Sequence, residues 1–218
     1  IDPVKGVLTG TPLVANVGPV SVTVRVEEPA LPSNFVDKTF SFTVKQAVYY
    51  TSFEQACPND WTLAGDWQCG SPTNVGPATA YVGPQCLGTQ LGGNYSNSQL
   101  FSDATATSPD IDLTSVANAT LTFRMWVDTE GGMYDGFNLQ VSSDGGMNYA
   151  IVGNATPVYP LTVAGKPAWG GHQSALGWQS VQANLAAYGG QIIRLRFAFQ
   201  SDSSGAFPGV YIDDILVN

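Results

Sequence analysis

Apolar and polar positions alternate strictly through much of the chain. Val20, Val22, Val24 and Val26 are separated by Ser21, Thr23, Arg25 and Glu27. Phe40, Phe42 and Val44 alternate with Thr39, Ser41, Thr43 and Lys45. The same period of two recurs in 121–125, 137–141 and 193–197. Such a period gives one buried and one solvated face, as in antiparallel sheets packed face to face. Asp144-Gly145-Gly146 after 137–142 predicts a hairpin turn, because glycine reaches positive φ at little cost. No segment of helix length carries a clean 3.6-residue period. Residues 184–188 predict one short helical turn, stopped by Gly189-Gly190. The predicted class is all-β with long loops.

The composition shifts near residue 47, which divides the chain into 1–46 and 47–218. The first part holds two strand patterns joined by the proline-containing stretch 28–37. It is too short for a seven-stranded sandwich, which takes about 100 residues. Either it is half of a domain, or its strands dock on the following one. Its unpaired edges invite a strand from another chain, which makes self-assembly through this segment a candidate.

Charge narrows the partners. The 218 residues carry 8 Lys and Arg against 17 Asp and Glu, a net charge of −9. Nucleic acid and anionic lipid surfaces are thereby disfavoured, while divalent cations and neutral ligands remain. No apolar run approaches the ~20 residues of a membrane helix, so membrane insertion is not expected. Ile1 opens without a signal-like segment, and the chain reads as a processed or excised piece of a longer one. Three cysteines, Cys57, Cys69 and Cys86, lie close together in sequence without zinc-pair spacing. A Cys69–Cys86 disulfide is expected, implying an oxidising, extracellular compartment. Buried free thiols are the alternative.

Residues 6–46, with Gly6–Pro12, Val20–Val26 and Lys38–Val44, resemble the second half of bacterial Ig-like (cadherin-like) modules. From about residue 50 onward the chain resembles MAM-type jelly rolls. It is most similar to their bacterial relatives in cleaved adhesins and in the C-terminal parts of immune inhibitor A-like secreted proteases. The matching pieces are Ser52-Phe53-Glu54, Trp61 and Trp67, 87–95, 108–114, 121–130, 134–146, Trp178, 185–202 and 209–217, in order. Vertebrate MAM domains place a cysteine just before the Phe-Glu pair. Here Thr51 and Ser52 occupy that place, so the family's disulfide pattern does not transfer. The resemblance implies an antiparallel jelly-roll β-sandwich.

The resemblance also implies a structural Ca²⁺ held by Glu54 and by Asp213 or Asp214. Asp103 and Asp66 are the candidate loop carboxylates to complete such a set, since Ca²⁺ takes about six to eight oxygens. Alternation puts Asp213 and Asp214 on opposite faces. The competing reading has these carboxylates bonded to backbone amides at strand ends. A second acidic set, Glu130, Asp135 and Asp202, lies in two loops and either binds a second Ca²⁺ or makes turns. Arg194 and Arg196 share a strand face, to hold an anion or to pair with nearby carboxylates.

Trp126, Tyr134, Tyr149, Tyr159, Trp169 and Trp178 are the candidate exposed aromatics. Tyr159 and Trp169, in the long insertion 153–177, are the candidate glycan-stacking pair. Trp61, Trp67 and Trp178 are expected to fill the core or brace loops. One histidine, His172, leaves little for a nucleophile–base pair, and neither HExxH nor a nucleophile elbow occurs. The expected function is a non-catalytic adhesion module of a larger secreted or cell-surface bacterial protein, binding a surface protein or glycan. A carbohydrate-binding module, a strand-complemented structural subunit and a carboxylate-pair glycosidase are the alternatives.

Overall fold

A computed structural model describes residues 17–28, 31–44, 46–58 and 60–218. The chain divides into two compact units between Ala47 and Val48. The Gly6–Pro12 motif lies outside the described residues.

In the first unit, β1 (Gly18–Glu28) and β2 (Leu31–Val44) form an antiparallel ribbon. The stretch read as a connector is mostly strand, since β2 already begins at Leu31. The register pairs Val20 with Phe42, Val22 with Phe40 and Val26 with Val36, which gathers the apolar side chains on one face. Ser21–Ser41, Thr23–Thr39 and Arg25–Asp37 hydrogen bonds line the other face. The apolar face is open, with Val26 and Val36 each 70% exposed.

The second unit is a β-sandwich of two antiparallel sheets. One has the order β12 (Ala155–Thr156), β15 (Gln179–Asn184), β9 (Thr120–Asp128), β17 (Gly209–Val217), β6 (Cys86–Thr89) and β5 (Trp67–Gly70). Here β3 (Tyr49–Thr51) also pairs with β17 through Ile215↔Thr51, Leu216↔Tyr50 and Val217↔Tyr49. The unit's opening and final strands are therefore neighbours. The other sheet has the order β11 (Ala150–Ile151), β10 (Gly136–Ser142), β16 (Ile192–Gln200), β7 (Thr105–Thr107) and β4 (Thr62–Leu63), with β8 (Ile111–Asp112) also on β16. A short hairpin, β13 (Leu161–Val163) with β14 (Lys166–Ala168), packs Val163 and Ala168 with Phe101 on Ala198.

The period of two explains the core. Leu121, Phe123, Met125 and Val127 of β9 face Phe137, Leu139 and Val141 of β10 and Ile193, Leu195, Phe197 and Phe199 of β16. Trp61 stacks on Phe197 at 5.8 Å, and Trp67 lies 6.3 Å from the same ring. Each such side chain contributes roughly 1.5–3 kcal/mol by burial. The short helical turn forms at Ala186–Tyr188 as a single 3₁₀ turn. Among the described residues no helix is long and apolar enough to cross a membrane.

The disulfide differs from expectation: Cys57 bonds Cys69, with Cα atoms 5.5 Å apart, and Cys86 is free and buried. Sheet register is the reason. Cys69 sits opposite Leu87 and Cys86 opposite Gly70, one position apart on adjacent strands, so their side chains leave opposite faces of the sheet.

Candidate functional site

Glu130 and Asp135 lie in the loop between β9 and β10, and Asp202 follows β16. The register Gly136↔Gln200 brings Asp135 and Asp202 to one end of the sandwich. There the Asp202 amide donates to Asp135 Oδ1 at 2.8 Å. Ligand oxygens of Glu130, Asp135 and Asp202 all lie within 4.8 Å of one another. Tyr95, almost wholly buried, donates its hydroxyl to Asp135 Oδ2. The Glu130 amide donates back to that hydroxyl at 3.0 Å. Gly205, at φ +77°, lies flat against the Glu130 carboxylate, where any Cβ would overlap it. Glu130 Oε2 is sealed from solvent and has no hydrogen-bond partner among the described residues.

The electrostatics are unfavourable without a positive partner. Two unit charges at 4.8 Å repel by more than about 3 kcal/mol at an effective dielectric of about 20. None of the ion pairs among the described residues involves these carboxylates. Burial pushes the Asp135 carboxyl above its usual range and the Asp202 and Glu130 charges add to this, against the Tyr95 and Asp202 hydrogen bonds. Either a proton or a cation settles such a cluster, and an all-oxygen donor set suits a hard divalent cation. The turn reading also has a footing, since Asp202 Oδ1 accepts the Ser204 amide at 2.8 Å.

The other acidic set is only partly gathered. Glu54 Oε1 accepts the Gln85 amide at 2.7 Å and Asp213 Oδ2 the Val82 amide at 2.8 Å. Both carboxylates thus grip the same loop, Glu54 from just past β3 and Asp213 from β17, through the amide bonds of the competing reading. Burial raises the Asp213 pKa to about 6. Asp214, at a β-bulge with φ 52°, turns instead to Arg124 at 3.8 Å. Asp66 is engaged by the Ser96 amide and by Gln90, and Asp103 sits in the turn closed on Leu100. Among the described residues neither shares a hydrogen-bond partner with Glu54 or Asp213.

Tyr159 and Trp169 form no surface platform. Trp169 is 1% exposed, lies 4.1 Å from Tyr159 and packs on Phe137 and Phe123. The insertion folds back because Trp169 and Phe137 exchange backbone hydrogen bonds of 2.8 Å along the edge of β10. Tyr159 adds its hydroxyl to Leu139 O. These rings therefore close the core and cover a strand edge. Trp126 is buried as well, and Trp178 braces a loop through Thr79 O. Arg194 pairs with Asp110 at 2.6 Å, whereas Arg196 stacks on Tyr149 at 3.3 Å.

A surface notch of about 450 Å³ includes Asp110, Asp144 and Arg194 in its lining. Asp110 is held by Arg194. Asp144 accepts bonds from Asn148 and Ser142 that lower its pKa to about 2. Asp144 is thus an ionised carboxylate rather than a general acid at neutral pH. His172 Nδ1 meets Asp128 at 3.0 Å on the surface.

Tyr95 and Gly205 were not singled out in the sequence. Their roles arise from burial and close approach, which alternation does not reveal.

The immune inhibitor A-like MAM domain profile matches residues 95–218, more than half of the chain. Bacillopeptidase F of Bacillus subtilis (strain 168) is 31% identical over 185 residues, covering 82% of this chain and 11% of that protein. The chain therefore spans about a ninth of that relative's length. Among solved structures, the K3 cleaved adhesin domain of Lys-gingipain from Porphyromonas gingivalis W83 overlaps with a TM-score of 0.49 at 17% identity, covering 79% of this chain and 99% of that one. The C-terminal family 22 carbohydrate binding module of Clostridium thermocellum Xyn10B gives 0.46 at 16% identity, over 78% and 92%. On the profile match and the extent of the Bacillus similarity, the chain belongs to the immune inhibitor A-like MAM domain family.

Proposed function

We propose that the Val48–Asn218 unit is a non-catalytic, extracellular binding module of a larger secreted or cell-surface bacterial protein, with a Ca²⁺ ion clamping its rim at Glu130, Asp135 and Asp202. The observation that carries the cation is the convergence of the three carboxylates beside a sealed, unpartnered Glu130 oxygen. An ion there links the β9–β10 loop to the end of β16 and ties the two sheets together. The Cys57–Cys69 disulfide supports an oxidising compartment. The ionised Asp144 leaves the notch without a general acid at that position, which supports the non-catalytic reading over a carboxylate-pair glycosidase there. Thermal melting in chelator and in excess Ca²⁺ tests the cation. A ligand at a hundredfold its Kd stabilises the folded state by about 2.7 kcal/mol, several degrees in melting temperature. Equal melting in both buffers removes the cation from the account, and hydrolysis of a polysaccharide or protein by the purified chain removes the non-catalytic reading.

A second reading, self-assembly through the N-terminal ribbon, is favoured by the open apolar face bearing Val26, Val36, Phe40 and Phe42. Sedimentation at rising concentration tests it: a mass that stays monomeric sets it aside.

A further inference from the structure

The outer face of the sheet containing β9 and β17 carries an aromatic and polar strip outside the acidic rim. Arg124 of β9 sits opposite Ser180 of β15 and Asp213 of β17. Its guanidinium lies 4.3 Å from the centroid of Tyr81, and Tyr81 meets Trp178 edge-on at 6.2 Å. On its other side Arg124 reaches Asp214 at 3.8 Å, with both side chains about 30% exposed. Tyr50 of β3, beside Leu216 in the register, interacts electrostatically with the same Asp214. Tyr81 is 43% and Tyr50 50% exposed. Beside Tyr50 opens a hollow of about 110 Å³ that runs along 50–55 to Glu54.

We infer that this strip, Tyr81–Arg124–Asp214–Tyr50, is a binding site for an uncharged polysaccharide; the inference rests on the binding-module reading and names its ligand. The CH faces of pyranose rings suit exposed tyrosine rings. Sugar hydroxyls suit a guanidinium fork beside a carboxylate, one all donors and the other all acceptors. The pair is half-buried and long at 3.8 Å, so it is loosely held and leaves hydrogen-bonding capacity for a ligand. Asp213 and Asp214 offset the single positive charge of Arg124, which disfavours acidic sugars. The parts are pre-positioned: the Val82 amide ties the Tyr81 segment to Asp213, and Trp178 Nε1 holds Thr79 O. Such rigidity lowers the ordering cost of binding.

Affinity electrophoresis of the full chain in gels containing cellulose derivatives, xylan, mannan, mixed-linkage glucan, polygalacturonate or dextran sulfate tests the site. Retardation by at least one neutral polymer is expected. Tyr81→Ala and Tyr50→Ala should each weaken Kd about tenfold, as expected for loss of one stacking ring. Tyr149→Ala on the opposite sheet should bind as the parent does, and all three should keep a native circular dichroism spectrum. Neutral-glycan binding that survives both strip variants overturns the site while leaving the binding module standing. Retardation by the acidic polymers alone overturns the uncharged ligand. Binding to a protein partner with no glycan retardation overturns the glycan inference only, and retention by neither class overturns both.

Discussion

The Tyr95 hydroxyl joins the acidic rim together, donating to Asp135 Oδ2 while accepting the Glu130 amide at 3.0 Å. Burial and the neighbouring Asp135 push the phenol's ionisation well above its usual range, so it stays a donor. A ring rooted in the core, 4.9 Å from Phe199, thereby sets the position of two loop carboxylates. Replacing Tyr95 by Phe keeps the ring and removes the donor. The buried Asp135 carboxylate then lacks one partner, a loss of about 1–3 kcal/mol. Urea unfolding in chelator should show that loss; unchanged stability would mean the bond does not matter to the fold.

Cysteine chemistry gives a second expectation. The Cys57–Cys69 bridge spans 12 positions, and closing a loop of this order stabilises by roughly 2–3 kcal/mol. Reduction, or Cys57→Ala with Cys69→Ala, should lower the melting temperature. Cys86 is buried and its thiol ionisation is pushed up by burial and by Asp213 and Glu54. Native protein should therefore resist alkylation, and denatured protein should take up one label. Rapid native labelling would contradict the pairing.

Trp169 should behave as core. Trp169→Ala is expected to cost about 3–5 kcal/mol in denaturant unfolding, as for other large aromatic truncations. A variant of parental stability would return this ring to the surface role predicted from sequence.

Asp213 should give stability a pH slope. Its folded pKa is raised to about 6, so the folded state holds the proton more tightly than the unfolded chain does. Its contribution is complete below the ordinary carboxyl value and is lost as pH rises through about 6. In chelator, Asp213→Asn should flatten that part of the stability profile, which raised carboxyls such as Asp135 share. Parallel profiles for the two proteins would show that Asp213 titrates normally.

Legibility from sequence followed the range of the forces. The strands with inward Phe123, Leu139 and Phe197 were readable because a period of two is local. The two acidic sets were nameable as residues, but only strand register could gather Glu130, Asp135 and Asp202 and send Asp214 to Arg124. The cysteines show the same limit, since one register step separates Cys69 from Cys86. Trp169 was misplaced because its burial depends on an isolated bridge to Phe137, which no local pattern encodes. Tyr81 went unremarked because its neighbours Arg124 and Trp178 come from distant parts of the chain.

Calorimetric titration of Ca²⁺ into the metal-stripped full chain, beside an Asp135→Asn Asp202→Asn variant, addresses the rim most directly. The account predicts a saturable site in the parent chain that disappears in the variant. An absence of binding heat in the parent, or an undiminished titration in the variant, would contradict it.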